Sequence, residues 1–391
     1  KGRIAMNLVI HDLKAEEWET VRGRYESWQV VSDRGTIRPC VGCFCCWNKT
    51  PGQCVIRDGY ENMGPLLHAA EEVHVISRYT YGGFSGFVKN VFDRCLGYVL
   101  PQFEVIGGET HHRKRYAEEK PFTFIFYGHG LNEDEKASAR RYAGAVCANI
   151  RGYVKAVHFY DCGEAPVSAP RIPHPGSGKI LLLNASMRSE TGNSAKLAQE
   201  LSTQLRGETE IAALRQYLKK PDDLLHLLED AGTLVLCTPL YVDGLPSQLI
   251  RFMEAAEREY RGGPKRVYVL ANMGLYESSQ LVNLFEAVKQ WCGRMQFSYC
   301  GGLGVSAGEL VGVLMQHLPF AFGPTRKIAE GMNRLAEPVN RGTAAGDLYT
   351  EPHRFPRRLY IAIANANWNI TAVKNGIRPG DLYRTDGFED T

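Results

Sequence analysis

The hydrophobic positions divide the chain into two runs of short apolar segments that alternate with amphipathic ones. The apolar segments lie near 4–10, 28–31, 73–77, 122–127 and 154–160 in the first half, and near 179–184, 208–214, 234–237, 266–271 and 296–300 in the second. Intervening stretches such as 193–205 and 246–256 have the period of helices that bury one face. Strands that are apolar throughout and separated by helices indicate parallel sheets covered on both faces. The pattern predicts two tandem, doubly wound α/β domains, each with a parallel five-stranded sheet.

A segment without hydrophobic periodicity separates the two runs. Residues 161–178, DCGEAPVSAPRIPHPGSG, contain four prolines and are typical of a linker. We therefore expect a first domain over 1–162, a linker over 163–178, and a second domain with a C-terminal extension over 179–391. Because the elements follow the same order in both halves, the sequence suggests a duplicated unit.

The first loop of the second half joins a buried strand to a helix in KILLLNASMRSETGNSAKLAQEL. A helix start at the carboxyl edge of such a sheet presents N–H groups and a positive dipole end. The loop adds groups that suit a phosphate monoester, namely Ser186, Arg188, Ser189, Thr191 and Ser194. A plain helix start capped by Asn193 or Thr191 is the alternative. The loop lacks Gly-Lys-Ser/Thr, so hydrolysis of a nucleoside triphosphate is not expected.

The second loop, in LVLCTPLYVDGLPSQLIRFMEAAE, also joins a buried strand to a helix. It offers an aromatic side chain, backbone amides and a short acid, which a planar heterocycle requires as a stacking face and hydrogen-bond partners. A tight strand–helix connection with an incidental tyrosine is the alternative. Two such loops at one sheet edge favour ligand binding.

These two loops together resemble those of the NAD(P)H-dependent FMN reductases and related multimeric flavodoxins, including iron–sulfur flavoproteins. The resemblance covers about 179–300 and implies a flavodoxin-like fold. It implies that the FMN phosphate is held by Ser186, Arg188, Thr191, Gly192, Asn193 and Ser194. It further implies that the flavin ring lies against Pro239, Leu240, Tyr241 and Val242, and against a third loop with Asn272, Met273, Gly274 and Tyr276.

The first half resembles the same family only in part. Its segment SRYTYGGFSGFVKNVFDR is similar to the family's ring-binding loop and following helix, which would place Tyr79, Tyr81, Gly82 and Gly83 against a flavin ring. After the first strand, however, the chain reads HDLKAEEWETV, without the glycine and hydroxyl residues of a phosphate loop. The acids of this helix start would repel a dianion, so the first half is not expected to anchor FMN unaided.

A compact group of cysteines lies in PCVGCFCCWNKTPGQCVIRDG. Cys40, Cys43, Cys46 and Cys54 have the spacing C-x2-C-x2-C-x7-C, and Cys45 is a fifth thiol. Thiolates at such spacing suit a [4Fe–4S] cluster or zinc, and the spacing resembles that of iron–sulfur flavoproteins. The alternatives are a disulfide, or free thiols in a loop like those of many FMN reductases.

The resemblance implies an enzyme in which FMN passes reducing equivalents from NAD(P)H to a small electron-poor acceptor, such as a quinone, a nitroaromatic or a flavin. Tyr241 and Asp243 are the first candidates for a catalytic role. The two halves would form an intramolecular pseudo-dimer with one complete flavin site, and a homodimer is a further expectation. The alternatives are an iron–sulfur flavoprotein that carries electrons and a flavin-binding sensor without turnover. A dinucleotide fold at GGLGVSAG is disfavoured, because a helical pattern stands where a second strand and its acid are required.

Composition and charge limit the possible partners and location of the protein. The chain has 391 residues and a formal net charge of +3, so no overall field would attract nucleic acid or a membrane. Of the 11 cysteines, six lie outside the group, mostly as single residues in apolar runs, which favours reduced thiols and a cytoplasmic location. We also expect a strand near 359–364, a helix within 319–340, and a solvated loop at His111 and His112.

Overall fold

The computed structural model describes residues 6–162 and 178–385. The predicted linker lies outside the described residues except for Gly178. The chain divides into two compact units, Lys1–Ala165 with Ile361–Thr391, and Pro166–Tyr360. The sequence predicts that the segment after Tyr360 belongs to the second domain, whereas in the structure it belongs to the first unit. The domain limits 1–162 and 179–391 stay a prediction.

The first unit contains seven strands and five helices within its described part before residue 163. The strands are β1 Met6–His11, β2 Gln29–Ser32, β3 Ala70–Arg78, β4 Val99–Ile106, β5 Glu109–Lys114, β6 Pro121–Gly128 and β7 Tyr153–Asp161. The helices are α1 Ala15–Val21, α2 Cys45–Asn48, α3 Met63–Ala69, α4 Gly86–Asp93 and α5 Glu133–Asn149.

Five of these strands form a parallel sheet in the order β2-β1-β3-β6-β7. Numbered along the sheet's own strands this is 2-1-3-4-5, the flavodoxin-like order. One face is packed by an aromatic ladder on β6, in which Phe124 lies 5.9 Å from Phe122 and 6.5 Å from Phe126 between ring centroids. Burying each such ring contributes roughly 1.5–3 kcal/mol. The prediction of a parallel five-stranded sheet is confirmed for this unit.

The remaining strands, β4 and β5, pair as an antiparallel hairpin that the sequence analysis missed. The expectation of a solvated loop at His111 and His112 is wrong, because both residues lie in β5. The Nδ1–H of His111 donates a 2.8 Å hydrogen bond to the Oδ1 of Asn149, and burial lowers the pKa of His112 to about 4. The ring of His112 packs 4.7 Å from that of Trp47.

The second unit contains six strands and six complete helices in its described part. The strands are β8 Ile180–Asn184, β9 Thr209–Ala213, β10 Thr233–Pro239, β11 Arg266–Asn272, β12 Ser298–Val305 and β13 Gly346–Thr350. The helices are α6 Asn193–Ser202, α7 Pro221–Asp230, α8 Ser247–Glu259, α9 Val282–Arg294, α10 Gly308–His317 and α11 Arg326–Arg341, and α12 Arg357–Lys374 continues into the first unit.

All six strands are parallel, in the order β13-β12-β11-β10-β8-β9. The order is again 2-1-3-4-5, with β13 added as a sixth edge strand where five were predicted. The additional pairing depends on glycine in β12. A Cβ at Gly301 would stand 2.3 Å from the carbonyl oxygen of Gly346 in β13, and one at Gly302 would stand 2.4 Å from that of Val269 in β11, so glycine permits the approach of both neighbouring strands. Because glycine weakens the hydrophobic pattern of a strand, the end of β12 and all of β13 gave no sequence signal.

The predicted strand at 359–364 is wrong, since these residues lie in α12. The helix begins directly after a proline, and the N–H of Tyr360 donates to the carbonyl of Pro356 at 3.1 Å. Its less exposed positions Tyr360, Ala364, Trp368 and Ala372 recur every four residues, which is the helical period, although the apolar residues near 359–363 alternate as in a strand. The helix expected within 319–340 is confirmed as α11. Among the described residues, no helix combines the length and the apolar character that a membrane span requires.

Candidate functional site

The candidate site of the second unit lies at the carboxyl edge of its sheet, where the strand order reverses between β8 and β10. Ligands of open α/β sheets bind at such a switch point. The loops after β8, β10 and β11 meet there at Asn272. Its Oδ1 accepts a 2.6 Å hydrogen bond from the hydroxyl of Ser194, and its carbonyl accepts a 2.8 Å bond from the N–H of Leu240. The structure therefore brings the three predicted loops together.

The first loop is organised by the last residue of β8. The Oδ1 of Asn184 accepts the N–H of Ser186 at 3.0 Å, and its amide nitrogen donates to the carbonyl of Ser189 at 3.1 Å. The hydroxyl of Ser186 accepts the N–H of Arg188 at 3.3 Å. Ser186 and Ser194 are buried, whereas Thr191 is exposed and donates to the carbonyl of Arg188. The two buried hydroxyls thus shape the loop.

The residue before α6 is Gly192, which stands as the N-cap in place of the expected Thr191 or Asn193. A Cβ at Gly192 would lie 2.6 Å from the Ser186 hydroxyl oxygen, so the close approach of the Ser186 side chain to this residue favours glycine. The side chain of Asn193 packs directly against Gly312 of α10. The first N–H groups of α6 have no acceptor within the helix, as at every helix start, and they face this edge of the sheet.

The charged side chains at the first loop include two cations, Arg188 and Lys196, and two acids, Glu190 within the loop and Glu309. The guanidinium of Arg188 pairs with Glu309 at 3.3 Å, and the ammonium of Lys196 donates to the Gly312 carbonyl at 2.9 Å. Burial lowers the pKa of Lys196, while Glu309 acts in the opposite direction. Arg188 and Lys196 are the groups here that suit an anion. The role of Glu309 was not predicted from the sequence, because this residue follows the glycine-rich strand β12 and no hydrophobic period marks its position.

The second loop contains a tight turn in which Tyr241 and Gly244 exchange two backbone hydrogen bonds of 3.0 Å. Its central residues have positive φ, 37° at Val242 and 60° at Asp243. A β-branched residue in this region is strained, and such strain concentrates at functional sites. Pro239, Leu240, Tyr241 and Val242 are partly exposed at the sheet edge, whereas Asp243 is buried.

The third loop is fixed from two sides. The N–H of Met273 donates to the Val305 carbonyl at 3.0 Å, and the N–H of Gly308 donates to the Met273 carbonyl at 2.7 Å. On the other side the hydroxyl of Tyr360 donates to the carbonyl of Gly274. Tyr276 likewise donates its hydroxyl to the Phe355 carbonyl at 2.6 Å. Phe355 and the first turn of α12 thus position this loop, which the sequence did not reveal.

The first unit repeats the turn of the second loop at the equivalent place. Thr80 and Gly83 exchange two 3.0 Å backbone hydrogen bonds around Tyr81 and Gly82, whose φ values are 48° and 83°. The N–H of Tyr79 then donates to the next strand at 2.8 Å, as Leu240 does in the second unit. Tyr79 and Tyr81 are buried, with exposed fractions of 3% and 2%.

The carboxyl edges of the two sheets differ where β1 and β8 end. Asp12 donates its N–H to Ile76 at 3.3 Å, as Ala185 does to Cys237 at 2.9 Å, so Asp12 begins the segment that corresponds to the phosphate loop. Its carboxylate accepts the N–H of Arg78 and the hydroxyl of Tyr127, each at 3.1 Å. Burial raises the pKa of Asp12 to about 6, although these hydrogen bonds oppose the shift.

The sequence predicts that the acids at the start of α1 repel an anion at this sheet edge. Glu17 instead accepts the N–H of Lys14 at 2.7 Å and caps that helix, and Glu16 is exposed. The carboxylate at the sheet edge belongs to Asp12.

The cysteine loop lies between β2 and α3. Cys40, Cys43, Cys46 and Cys54 line one small cavity together with Asp93 and Arg94. No three His, Cys, Asp or Glu side chains in the described part of the chain are grouped so as to hold a metal ion. The prediction of an iron–sulfur or zinc centre at these four cysteines is therefore not supported.

The thiols of this loop have different surroundings. Arg94 directs its Nε–H to the Cys54 sulfur at 3.1 Å, and its other nitrogens form a fork with Asp58 at 2.9 and 3.1 Å. Burial raises the pKa of Cys40 to about 12. Burial, followed by a hydrogen bond to Cys43, raises the pKa of Cys45 to about 11.

Comparison with known proteins gives weak structural similarity only. No protein-family model matches the sequence, and no curated protein matches it. The Trp repressor binding protein from Bacillus subtilis is 17% identical, with 41% of this chain and 96% of that chain covered and a TM-score of 0.29. An azoreductase from Bacillus anthracis str. Sterne is 13% identical, with coverages of 42% and 100% and a TM-score of 0.32. The azoreductase AzrA is also 13% identical, with coverages of 42% and 99% and a TM-score of 0.32. Similarities of this size do not identify an activity.

Proposed function

We propose that the second unit binds FMN at the edge where its three loops meet, and that the protein is a flavin-dependent oxidoreductase. The donor would be NAD(P)H, and the acceptor would be a small electron-poor molecule such as a quinone or nitroaromatic. The observation that supports this function is the meeting of the loops after β8, β10 and β11 at Asn272, at the switch point of a 2-1-3-4-5 sheet.

The donor groups present fit a phosphate monoester at the first loop. The loop supplies the start of α6, the Ser186 hydroxyl close to Gly192, and the cations Arg188 and Lys196. Thr191 and Asn193 stand at either side of that glycine and would complete the phosphate cradle. A phosphate would draw Arg188 away from Glu309, since both anions require the same guanidinium.

The second and third loops would hold the ring. Pro239, Leu240, Tyr241 and Val242 would form one wall, with Tyr241 as an aromatic face. The strained turn at Val242 and Asp243 directs backbone groups toward the polar rim of a planar ligand. FMN bound there would supply the redox chemistry, accepting two electrons from the pyridine nucleotide and passing them on. The chain's own residues orient the reactants and exclude water.

We further propose that the first unit holds no flavin and is a diverged copy of the second. The shared strand order and the repeated turn at Thr80–Gly83 support the duplication. Asp12 places a carboxyl group where the phosphate loop begins in the second unit, and it satisfies Arg78 and Tyr127 there. The tyrosines Tyr79 and Tyr81, which were predicted to face a ring, are buried.

The amount of flavin bound per chain tests the proposed site. The protein is freed of flavin, titrated with FMN, and followed by quenching of flavin fluorescence. We expect one FMN per chain, and Ser194→Ala should weaken it because Asn272 loses the hydroxyl that fixes it. Two flavins per chain, or none, would contradict the proposal. A matched control is Ser202→Ala, since that exposed hydroxyl bonds only to its own helix.

Turnover separates an enzyme from a flavin-binding sensor. The FMN-loaded protein should oxidise NADH or NADPH with menadione as acceptor faster than an equal concentration of free FMN does. A rate equal to that of free FMN would favour the sensor. Tyr241→Phe and Asp243→Asn then test the two predicted catalytic side chains, and a change in kcat at unchanged flavin affinity is the outcome that supports a catalytic role.

A further inference from the structure

The segment 351–356, which joins β13 to α12, lies against the third loop of the candidate site. The hydroxyl of Tyr276 donates to the Phe355 carbonyl at 2.6 Å, and α12 begins two residues later. In the first turn of α12, Tyr360 donates its hydroxyl to the Gly274 carbonyl. Because Gly274 and Tyr276 are predicted to contact the flavin ring, this segment borders the proposed site.

The backbone of this segment is strained at Arg354. Its φ is 48°, in the left-handed region that residues other than glycine rarely adopt. On one side the N–H of His353 donates to the Pro324 carbonyl at 2.8 Å, and on the other side Tyr276 holds the Phe355 carbonyl. Arg354 itself is exposed, so the strain does not serve to pack its side chain. Backbone strain of this kind is concentrated at ligand-binding sites.

The same stretch, HRFPRR, carries three arginines within five residues. Arg357 is paired with Glu277 at 2.7 Å. Arg354 and Arg358 are exposed, and neither forms a salt bridge with another residue in the described part of the chain. Glu351 is the other acid of this segment, and partial burial, followed by the charge of Glu277, raises its pKa. Two cations beside the third loop are therefore available to an anion.

Helix stability does not explain the position of these arginines. Arg357 and Arg358 lie in the first turn of α12, which contains no acid. Cations at a helix start oppose the helix dipole, whereas acids stabilise this end. The same cations favour an anion bound beside them. The Nδ1 of His353 is buried without a hydrogen-bond partner among the described residues, and it can supply one more donor.

We propose that Arg354 and Arg358 bind the 2′-phosphate of NADPH and make NADPH the preferred electron donor over NADH. This inference rests on the proposed flavin function, because it specifies the donor of the same site. A phosphate monoester carries close to two negative charges at neutral pH, and guanidinium groups bind its oxygens through charge-assisted hydrogen bonds. NADH has an uncharged hydroxyl group at the same position and does not attract the two arginines. The segment borders the loop predicted to contact the ring, so one dinucleotide can contact both.

Equilibrium binding of two nucleotide fragments tests the phosphate site without turnover. The full chain is titrated by calorimetry, in the presence of FMN, with adenosine 2′,5′-bisphosphate and with AMP, which lacks the 2′-phosphate. We expect the bisphosphate to bind at least about tenfold more tightly than AMP, and the difference to shrink in high salt. Arg354→Gln and Arg358→Gln should each weaken binding of the bisphosphate about five- to thirtyfold, and binding of AMP much less.

Arg341→Gln is the matched control, because it removes the same charge elsewhere in the second unit. Arg341 ends α11 in an exposed pair with Glu337, and the next residue, Gly342, lies against Arg266 at the opposite edge of the sheet. This variant should bind both fragments as the unsubstituted protein does. Equal affinity for the two fragments, or equal losses in the control and in Arg354→Gln, would overturn the inference.

Reduction of the bound flavin separates this inference from the proposed function. Flavin absorbance is followed anaerobically after the FMN-loaded protein is mixed with NADPH or with NADH. NADPH should reduce the flavin with a second-order rate constant at least about tenfold above that of NADH, and Arg354→Gln should lower the constant for NADPH more than that for NADH. Equal constants for the two donors would overturn the preference and leave the flavin function standing. No reduction by either donor would overturn both.

Discussion

Glu309→Gln should strengthen FMN binding, because Glu309 competes with the phosphate for Arg188. The two side chains pair at 3.3 Å, and a phosphate at the start of α6 would have to break this pair. Glutamine has the same size and cannot form the ion pair. The substitution therefore leaves Arg188 available without removing any group that the phosphate would use.

The size of the effect follows from the exposure of the pair. The side chains of Arg188 and Glu309 are 37% and 52% exposed. Exposed pairs of this kind stabilise by at most about 1 kcal/mol, since water screens them. Removing the competition should therefore lower the Kd for FMN about two- to fivefold. The same change should lower the free energy of unfolding of the flavin-free protein by no more than about 1 kcal/mol.

Titration with two ligands and at two salt concentrations measures this effect. FMN should bind more tightly to the variant, whereas riboflavin, which lacks the phosphate, should bind both proteins equally. The gain should shrink in high salt because exposed charges are screened. Glu330→Gln is the control, since it makes the same charge change in an exposed pair with Arg326. An equal gain for riboflavin, or for the Glu330 variant, would refute the competition at Arg188.

Further predictions concern a glycine, an acid and an arginine. Gly192→Ala places a methyl group 2.6 Å from a buried serine hydroxyl and should weaken FMN binding about five- to thirtyfold, whereas Gly293→Ala, with no atom within 4 Å, should leave it unchanged. Burial raises the pKa of Asp12 to about 6, so ionisation of this carboxyl lowers the stability of the folded state as pH rises from about 4 to about 6. The stability of Asp12→Asn relative to the unsubstituted protein should therefore increase over this range, by on the order of 1–2 kcal/mol in urea unfolding, and a constant difference would contradict the shift. Arg94→Lys cannot form the two buried hydrogen bonds to Asp58 and should lower the free energy of unfolding by about 3 kcal/mol. Arg22→Lys, in an exposed pair with Glu19, should lower it by less than about 0.5 kcal/mol. Similar losses in the two lysine variants would show that burial of the fork contributes nothing.

The central strands of both sheets could be predicted because each is an uninterrupted apolar run. Ile180–Asn184 and Thr233–Pro239 are buried on both faces, so every position carries the same signal. Elements at the periphery could not be predicted in this way. β13 reads GDLYT, is partly exposed, and pairs only because the glycines of β12 permit a close approach. The helix α12 was taken for a strand, since a short apolar run does not reveal its period.

The candidate site shows the same division. The sequence by itself determined which residues form the loops after β8, β10 and β11, because loop composition and the preceding strands are local properties. Only the tertiary structure decided which charges these loops meet. Glu309 reaches Arg188, and Asp12 closes the equivalent edge of the first unit, through the folding of distant segments onto one sheet edge. The cysteine spacing likewise indicated a shared site for four thiols, whereas only the tertiary structure placed Asp93 and Arg94, from a distant helix end, against the cavity that these thiols line.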